Sequence, residues 1–197
     1  MNVLNRNINN IFFIFALSHL VIWTVVPSLT NKNLPLDTIE ALAWGSNLDW
    51  GFNKHPPISA FFPEVIYQIF GPQDWAYYLL SQLFVLVAFY FVFKFSSEFL
   101  GNVKLSLISV LLLEAIYFYN FTTPEFNVNV CQLPFWSLVV YYSWKIYETN
   151  KIKFIDCFLV GLFAALRFLS KYLFIYLLIS IDLLFVWLIF IKKTKKF

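Results

Sequence analysis

The chain has 197 residues, of which 60% are hydrophobic, 22% aromatic and only 13% charged, and its formal net charge at pH 7 is +3. Its mean hydropathy of +0.72 leaves far too little polar surface for a water-soluble globule of this length. Composition therefore excludes a soluble domain and predicts an all-α, polytopic membrane protein, with no nucleic-acid partner.

Six segments are apolar and long enough to predict transmembrane helices of about 17–20 residues. In chain order they are residues 11–29, 75–93, 105–121, 130–146, 154–169 and 172–191. The first is followed by TNKNLPLD, which lacks a small-residue cleavage site, so we expect a retained span and not a secretory signal. No internal repeat or linker divides the chain, and we expect residues 1–197 to form a single transmembrane domain.

Basic residues orient these spans, because loops rich in Lys and Arg stay on the cytoplasmic side. They fall in every second connection and after the last span, at Arg6, Lys94, Lys104, Lys145, Lys151, Lys153, Lys192, Lys193, Lys195 and Lys196. Both termini are therefore predicted to be cytoplasmic, with the chain in the inner (plasma) membrane. The same alternation puts residues 30–74, 122–129 and 170–171 outside.

The first outer connection begins with LPLDTIEALAWGSNL, which predicts a short amphipathic helix lying along the membrane surface. Asp37 and Glu40 stand three residues apart at its start. This spacing is typical of a capping box, in which each side chain satisfies a backbone N–H of the first turn. It is equally compatible with Asp37 acting as a catalytic carboxylate, and the sequence leaves both interpretations open.

Lys54 and His55 precede two consecutive prolines in NKHPPISAFF. The prolines fix φ and prevent a regular helix before Ile58, so we expect Lys54 and His55 in an extended turn near the membrane surface. One interpretation is an interfacial lysine that snorkels to water. The other is a cation that receives an anion such as a lipid phosphate, and the pattern alone does not choose between them.

Two further outer features favour the anion site. TTPEFNVN puts Glu125, Asn127 and Asn129 at the start of the fourth span, and ALRFLSKY puts Arg167 and Lys171 four residues apart, which predicts one helix face. Ionisable groups at or within membrane depth are costly and are candidates for function by default. Snorkelling explains single lysines near the membrane surface, but it does not explain why carboxylates and cations gather on the same side of the membrane.

The two cysteines, Cys131 and Cys157, lie in or near different spans and are predicted toward opposite faces of the membrane. That separation argues against a disulfide, and two isolated cysteines do not make a metal site. We therefore expect both to be free thiols that behave as small apolar residues.

Three stretches together resemble a known family. LDTIEALAWGSNLDWGFNKHPPISAFF, PEFNVNVCQLPFW and GLFAALRFLSKY are similar, in this order, to signatures of bacterial membrane glycosyltransferases related to the dolichyl-phosphate-mannose protein mannosyltransferases and the aminoarabinose transferases. The resemblance implies a C-type glycosyltransferase fold, an extracytoplasmic active site built on the first outer loop, and a polyprenyl-phosphate sugar as donor. The sequence requires no cofactor, and nothing in it supports a divalent metal.

The resemblance also implies roles for individual residues. Asp37 occupies the family's acidic position in the first loop and is the predicted catalytic base, because an acceptor hydroxyl or amine needs a carboxylate to take its proton. A phosphate leaving group needs cations to hold its developing charge more than it needs an acid. The predicted substrate-binding residues are Glu40, Lys54, His55, Glu125, Arg167 and Lys171.

Family members usually continue through several more spans, whereas this chain ends with FIKKTKKF after about six. We therefore expect it to correspond to the N-terminal module of such an enzyme, with a second polypeptide as a possible source of further helices. The alternative is a non-catalytic membrane subunit or truncated relic that binds lipid without transferring sugar. A transporter is less favoured, because the spans show no inverted repeat and few glycine breaks.

Overall fold

The structure, a computed structural model, describes residues 3–149 and 151–191, and within these ranges it contains α-helices and no β-strand. The eight α-helices are α1 (Val3–Thr30), α2 (Leu36–Gly45), α3 (Ile58–Phe70), α4 (Asp74–Leu100), α5 (Val103–Glu114), α6 (Val128–Glu148), α7 (Phe154–Phe168) and α8 (Ile175–Val186). Shorter turns are π-helical at Phe118–Thr122 and Trp187–Ile191 and 3₁₀-helical at Tyr172–Phe174. The chain is the all-α membrane protein that its composition predicts.

Three helical segments of the described chain are both long and apolar enough to cross a membrane. They are Arg6–Thr30, Asp74–Leu100 and Tyr172–Phe190, of 25, 27 and 19 residues. All six predicted segments are largely helical, but α6 is less apolar, and α5 and α7 have only 12 and 15 residues, short of the roughly 20 that a bilayer core needs. The lysines predicted to follow the last span, from Lys192 onward, lie outside the described residues.

The predicted third span is interrupted, because α5 ends at Glu114 and the π-helical turn begins only at Phe118. The first outer connection also holds a helix that the six-segment pattern omits. This helix, α3, begins at Ile58, directly after the two prolines, as their fixed backbone predicts. Its 13 residues are mostly apolar and include Pro63, and they are too few to span a bilayer core.

The core forms where α1, α4, α5 and α6 pack together. Its buried members are Phe12, Leu80, Val85, Phe89, Val110, Phe126, Val130, Cys131 and Phe135. Outward faces carry large apolar side chains that are well exposed, such as Ile14 at 65% and Leu183 at 64%, which suits a surface in contact with lipid. Cys131 is buried, Cys157 is exposed and both are free thiols, as predicted.

The three connections predicted to lie outside meet at one end of the helices, which we call the site end. The hydrogen bonds that join them run from the Ile58 N–H to the Leu169 carbonyl (3.2 Å), from the Asp37 N–H to Glu125 Oε1 (3.0 Å) and from Lys171 Nζ to Asn129 Oδ1 (2.7 Å). The connections between α4 and α5 and between α6 and α7 lie at the opposite end. Successive connections therefore alternate between the two ends of the helices, as the distribution of basic residues predicts.

At the site end, α2 and α3 approach each other closely through Gly45, the last residue of α2. A Cβ at this position would lie 2.5 Å from the Ala60 carbonyl oxygen and 2.9 Å from Glu64 Cβ. Only glycine allows the backbones to come this near. The packing of α2, and with it the position of Asp37, depends on that approach.

We expect Gly45→Ala to lower the free energy of unfolding by about 1–3 kcal/mol, the usual cost of overpacking a close contact. Gly161→Ala is the matched control, since a Cβ on this α7 glycine meets no heavy atom within 4 Å, and alanine should stabilise the helix by up to about 1 kcal/mol. Thermal unfolding of both variants in detergent measures the difference. Equal effects of the two substitutions would contradict a packing role for Gly45.

Candidate active site

The helix that carries Asp37 begins two residues earlier than a capping box of Asp37 and Glu40 requires. Pro35 precedes the first helical residue, Leu36, and contributes no side-chain cap, because proline suits a helix start and lacks both a capping group and an N–H. Asp37 is the second helical residue, and its N–H donates to Glu125 Oε1 at 3.0 Å. The capping-box interpretation of Asp37 and Glu40 is therefore wrong, since a carboxylate from another connection caps the helix.

A second contact holds α2 to the same connection. The Thr38 hydroxyl donates to the Phe126 carbonyl at 3.2 Å, and both residues are almost fully buried. Glu125 and Phe126 together therefore fix the start of α2 in position and direction. Since capping is done by Glu125, the carboxylate of Asp37 is left to face the neighbouring cleft.

This cleft is narrow, with a cavity volume of about 10 Å³. It lies between α2, the turn before α3 and the start of α6, and its lining residues are Asp37, Glu40, Ala41, Trp44, His55, Ser59, Asn127 and Val128. Three of the predicted site residues, Asp37, Glu40 and His55, thus share one cleft although two of them are 18 residues apart in sequence. Trp44 and Ser59 were not singled out by sequence, because aromatic and small residues are too common in this chain to mark a site.

Lys54 stands at the edge of the cleft and donates from Nζ to Glu40 Oε2 at 2.9 Å. The two side chains are 56% and 32% exposed, so the pair adds little stability. The hydrogen bond to Glu40 raises the pKa of Lys54 above its ordinary value, and the amine stays charged at neutral pH. A charged lysine in an exposed pair is readily available to another anion.

His55 lies beside Trp44, with ring centroids 5.9 Å apart, and Trp44 in turn stacks on Phe52. Burial, followed by the charge of Lys54, lowers the pKa of His55 below its ordinary value of 6.5. At neutral pH the ring is therefore uncharged and has one donor and one acceptor nitrogen. It is equipped to orient a hydroxyl group and not to add a positive charge.

Lys171 reaches the same region from the far side. Because α7 ends at Phe168 and Lys171 has extended backbone (φ −160°, ψ 121°), Arg167 and Lys171 do not share a helix face, and that prediction is wrong. Lys171 Nζ donates to Asn129 Oδ1 at 2.7 Å. Its charge also contributes to lowering the pKa of His55, which puts the amine within electrostatic reach of the cleft.

Arg167 is buried behind this region, with only 1% of its surface exposed. Its guanidinium carbon lies 5.1 Å from the centre of the Trp136 ring and 5.0 Å from that of Phe174, a cation–π arrangement. One guanidinium nitrogen donates to the Lys171 carbonyl at 3.1 Å. As placed, Arg167 holds the backbone of Lys171 and does not line the cleft.

The predicted site residues therefore fall into three groups. Asp37, Glu40 and His55 line the cleft; Lys54, Glu125 and Lys171 contact residues around it; and Arg167 lies behind it. Within the described ranges, three or more His, Cys, Asp or Glu side chains nowhere gather as a metal would require. That no cofactor is required stays a prediction.

Fold and site together define a polytopic all-α membrane protein with carboxylates and a histidine in a cleft at one end of its helices and two lysines beside it. A family model described as dolichyl-phosphate-mannose-protein mannosyltransferase matches residues 54–197. This match covers more than half of the chain, and the chain belongs to that family, which confirms the resemblance seen in the sequence. At the level of the family, the activity is membrane glycosyl transfer from a polyprenyl-phosphate sugar.

The family match begins at Lys54 and so includes His55, Glu125 and Lys171, whereas Asp37 and Glu40 on α2 precede it. Comparison with curated proteins and with solved structures finds no match. The part that α2 plays is therefore argued from its contacts with the matched region.

We expect the His55 ring to titrate below pH 6.5 in an NMR titration of the histidine-labelled chain, because burial and Lys54 both oppose its protonation. Lys54→Ala should raise this pKa, while Lys32→Ala, at an exposed lysine of the same connection, should leave it unchanged. By linkage, His55 makes folding less favourable as the pH falls through 6.5 toward the lower folded pKa. Titration above 6.5 would show that the carboxylates of Asp37 and Glu40 dominate instead.

Proposed function

We propose that the chain is a glycosyltransferase that moves a sugar from a polyprenyl-phosphate donor to a hydroxyl or amine of a lipid, glycan or protein acceptor. The observation that carries this proposal is the shared cleft in which Asp37 and His55 meet, with Lys54 and Lys171 beside it. Membership of the mannosyltransferase family supports the reaction class. The site end would face the extracytoplasmic side of the inner membrane, with both termini cytoplasmic.

Lys54 and Lys171 would bind the phosphate of the donor. Both amines already hydrogen-bond an oxygen, of Glu40 in one case and of Asn129 in the other, so a phosphate oxygen can take the same place with similar geometry. Charge-assisted hydrogen bonds of this kind are about twice as strong as neutral ones. They also stabilise the negative charge that grows on the phosphate as the sugar leaves.

Asp37 would act as the general base. Its backbone N–H is bound by Glu125, which leaves its own carboxylate for the proton of the acceptor. A single displacement at the sugar carbon would invert its configuration. Glu40, released when Lys54 turns to the phosphate, and the neutral ring of His55 would orient the hydroxyl groups of the sugar or the acceptor.

The alternative is a lipid-binding membrane subunit without transferase activity. The size of the cleft favours it, since a cavity volume of about 10 Å³ is far below the roughly 300–1,000 Å³ of most small-molecule sites. On this alternative Lys54 and Lys171 would still bind a lipid phosphate, but Asp37 would have no acceptor to activate. A transfer assay on the chain, alone and with any partner polypeptide, separates the two.

We expect Asp37→Asn to lower sugar transfer by roughly 10²-fold or more, because an amide cannot accept the acceptor's proton. Folding should be unchanged, since the Asp37 side chain does not cap α2 and Glu125 binds its backbone. Asp49→Asn, the same change at an exposed aspartate of the same connection, should leave transfer intact. Near-normal transfer by Asp37→Asn would move the base to Glu40 or Glu125.

We expect Lys54→Ala to weaken binding of polyprenyl phosphate by about tenfold in lipid nanodiscs, as loss of one charge-assisted hydrogen bond predicts. Lys151→Ala is the control, because Lys151 is exposed and lies between α6 and α7, at the opposite end of the helices. Binding measured by native mass spectrometry distinguishes the two. An equal loss in both variants would contradict an anion site at Lys54.

A further inference from the structure

A chain of polar side chains, buried except for the 26% exposed Glu114, runs between helices α1, α4 and α5 and is not part of the cleft. His19 on α1 is 3% exposed and Gln82 on α4 is fully buried. His19 Nε2 lies 2.9 Å from Gln82 Oε1, and Gln82 Nε2 donates to the Thr123 hydroxyl at 3.5 Å. On its other side, His19 Nδ1 lies 2.8 Å from Oε2 of Glu114, the last residue of α5.

The hydrogen-bond partners of Thr123 set the direction of the hydrogen bonds from Thr123 through Gln82 to His19. The Thr123 hydroxyl donates to the carbonyl groups of Tyr119 and Asn120, so it accepts from the Gln82 amide. The Gln82 oxygen is therefore turned toward His19, and His19 Nε2 must carry a hydrogen to donate to it. A neutral His19 has only one ring N–H, which is the one on Nε2, so its Nδ1 would carry no hydrogen.

A bare Nδ1 cannot face a carboxylate oxygen at 2.8 Å without repulsion. Neither His19 Nδ1 nor Glu114 Oε2 has another hydrogen-bond partner among the described residues, and both atoms are buried. One further proton must therefore lie between them, on the imidazole or on the carboxyl group. In either form the pair is neutral as a whole, which avoids the cost of an isolated buried charge.

This chain of hydrogen bonds ends on the connection between α5 and α6, to which α2 is bound. Thr123 is fully buried, its hydroxyl accepts from Gln82, and its carbonyl accepts from the Ser81 hydroxyl. Two residues further on, Glu125 binds the N–H of Asp37. The side chains of α4 therefore anchor one end of the Thr123–Asn127 connection, and α2 is bound to its middle.

We propose that His19 and Glu114 share a buried proton that directs a hydrogen-bond chain through Gln82 to Thr123, and that this chain positions Glu125 and, through it, Asp37. His19 is thus a positioning residue, 18 residues before the predicted base in sequence. The part that concerns Asp37 as a base rests on the proposed function. The mechanical part, the coupling of His19 to α2, does not.

Hydrogen–deuterium exchange on the full chain in detergent tests the coupling without a substrate. His19→Phe keeps an aromatic ring beside Phe15 and Phe89 but removes both nitrogens. It should speed exchange of the amides in residues 36–45 by about tenfold, as the loss of a buried hydrogen-bond anchor predicts. Tyr141→Phe, which removes the bond from Tyr141 to Glu98 at 2.8 Å nearer the opposite end, should leave those amides unchanged.

Two substitutions of Glu114 test the shared proton. In Glu114→Gln, the new amide can donate to His19 Nδ1 and keep the chain's direction, so exchange in residues 36–45 should stay within about twofold of wild type. Glu114→Ala provides no donor, frees the ring to change tautomer and should loosen α2 as His19→Phe does. Equal exchange in Glu114→Gln and Glu114→Ala would overturn the shared proton.

Unchanged exchange of α2 in a folded His19→Phe protein would overturn the proposal; if that variant does not fold, the two Glu114 variants decide. In a transfer assay, His19→Phe should lower kcat by about tenfold or more and leave KM for the donor unchanged, because it displaces the base and not the phosphate site. A fall confined to donor affinity would contradict positioning of Asp37. Absence of transfer in the wild-type chain would instead overturn the proposed function, and exchange would still decide the coupling.

Discussion

The carboxylate of Glu125 at the N-terminus of α2 is the contact on which the site depends. A ten-residue helix is too short to persist in isolation, and its first N–H groups have no partner within the helix. Glu125 satisfies one of them at 3.0 Å, and its negative charge suits the positive end of the helix dipole. The close approach at Gly45 holds the other end, so α2 is fixed at both ends by tertiary contacts.

The interruption after α5 makes that contact geometrically possible. If the helix continued beyond Glu114, residues 122–127 would lie further along its axis. Instead, the Asn120 side chain donates to the Glu114 carbonyl at 2.6 Å and closes the break, and a π-helical turn follows. Irregular backbone among membrane helices needs internal partners of this kind, and π-helical segments are frequent at functional sites.

Much of the fold could be predicted from the sequence, because apolar length and charge alternation are properties of each segment by itself. The start of α3 at Ile58 also followed from local chemistry, since two prolines restrict the backbone whatever surrounds them. The site was predictable only in part. The spacing of three positions from Asp37 to Glu40 fits a capping box as well as a catalytic pair, and the capping box is excluded only by Glu125, 88 residues away. Similarly, ALRFLSKY contains no Gly or Pro to show that the helix ends before Lys171.

The balance of charge around the cleft explains why two lysines would be needed for one phosphate on the proposed function. The carboxylate of Glu125 is offset by the helix N-terminus, and that of Glu40 is offset by Lys54. When Lys54 binds a phosphate, Glu40 loses its partner, so this exchange gains less net attraction than an unpaired lysine would provide. Lys171 binds the neutral amide of Asn129 and brings positive charge without leaving a carboxylate behind. Both lysines would therefore attract the donor, and the exchange at Lys54 would in addition open the cleft and free Glu40 for the sugar.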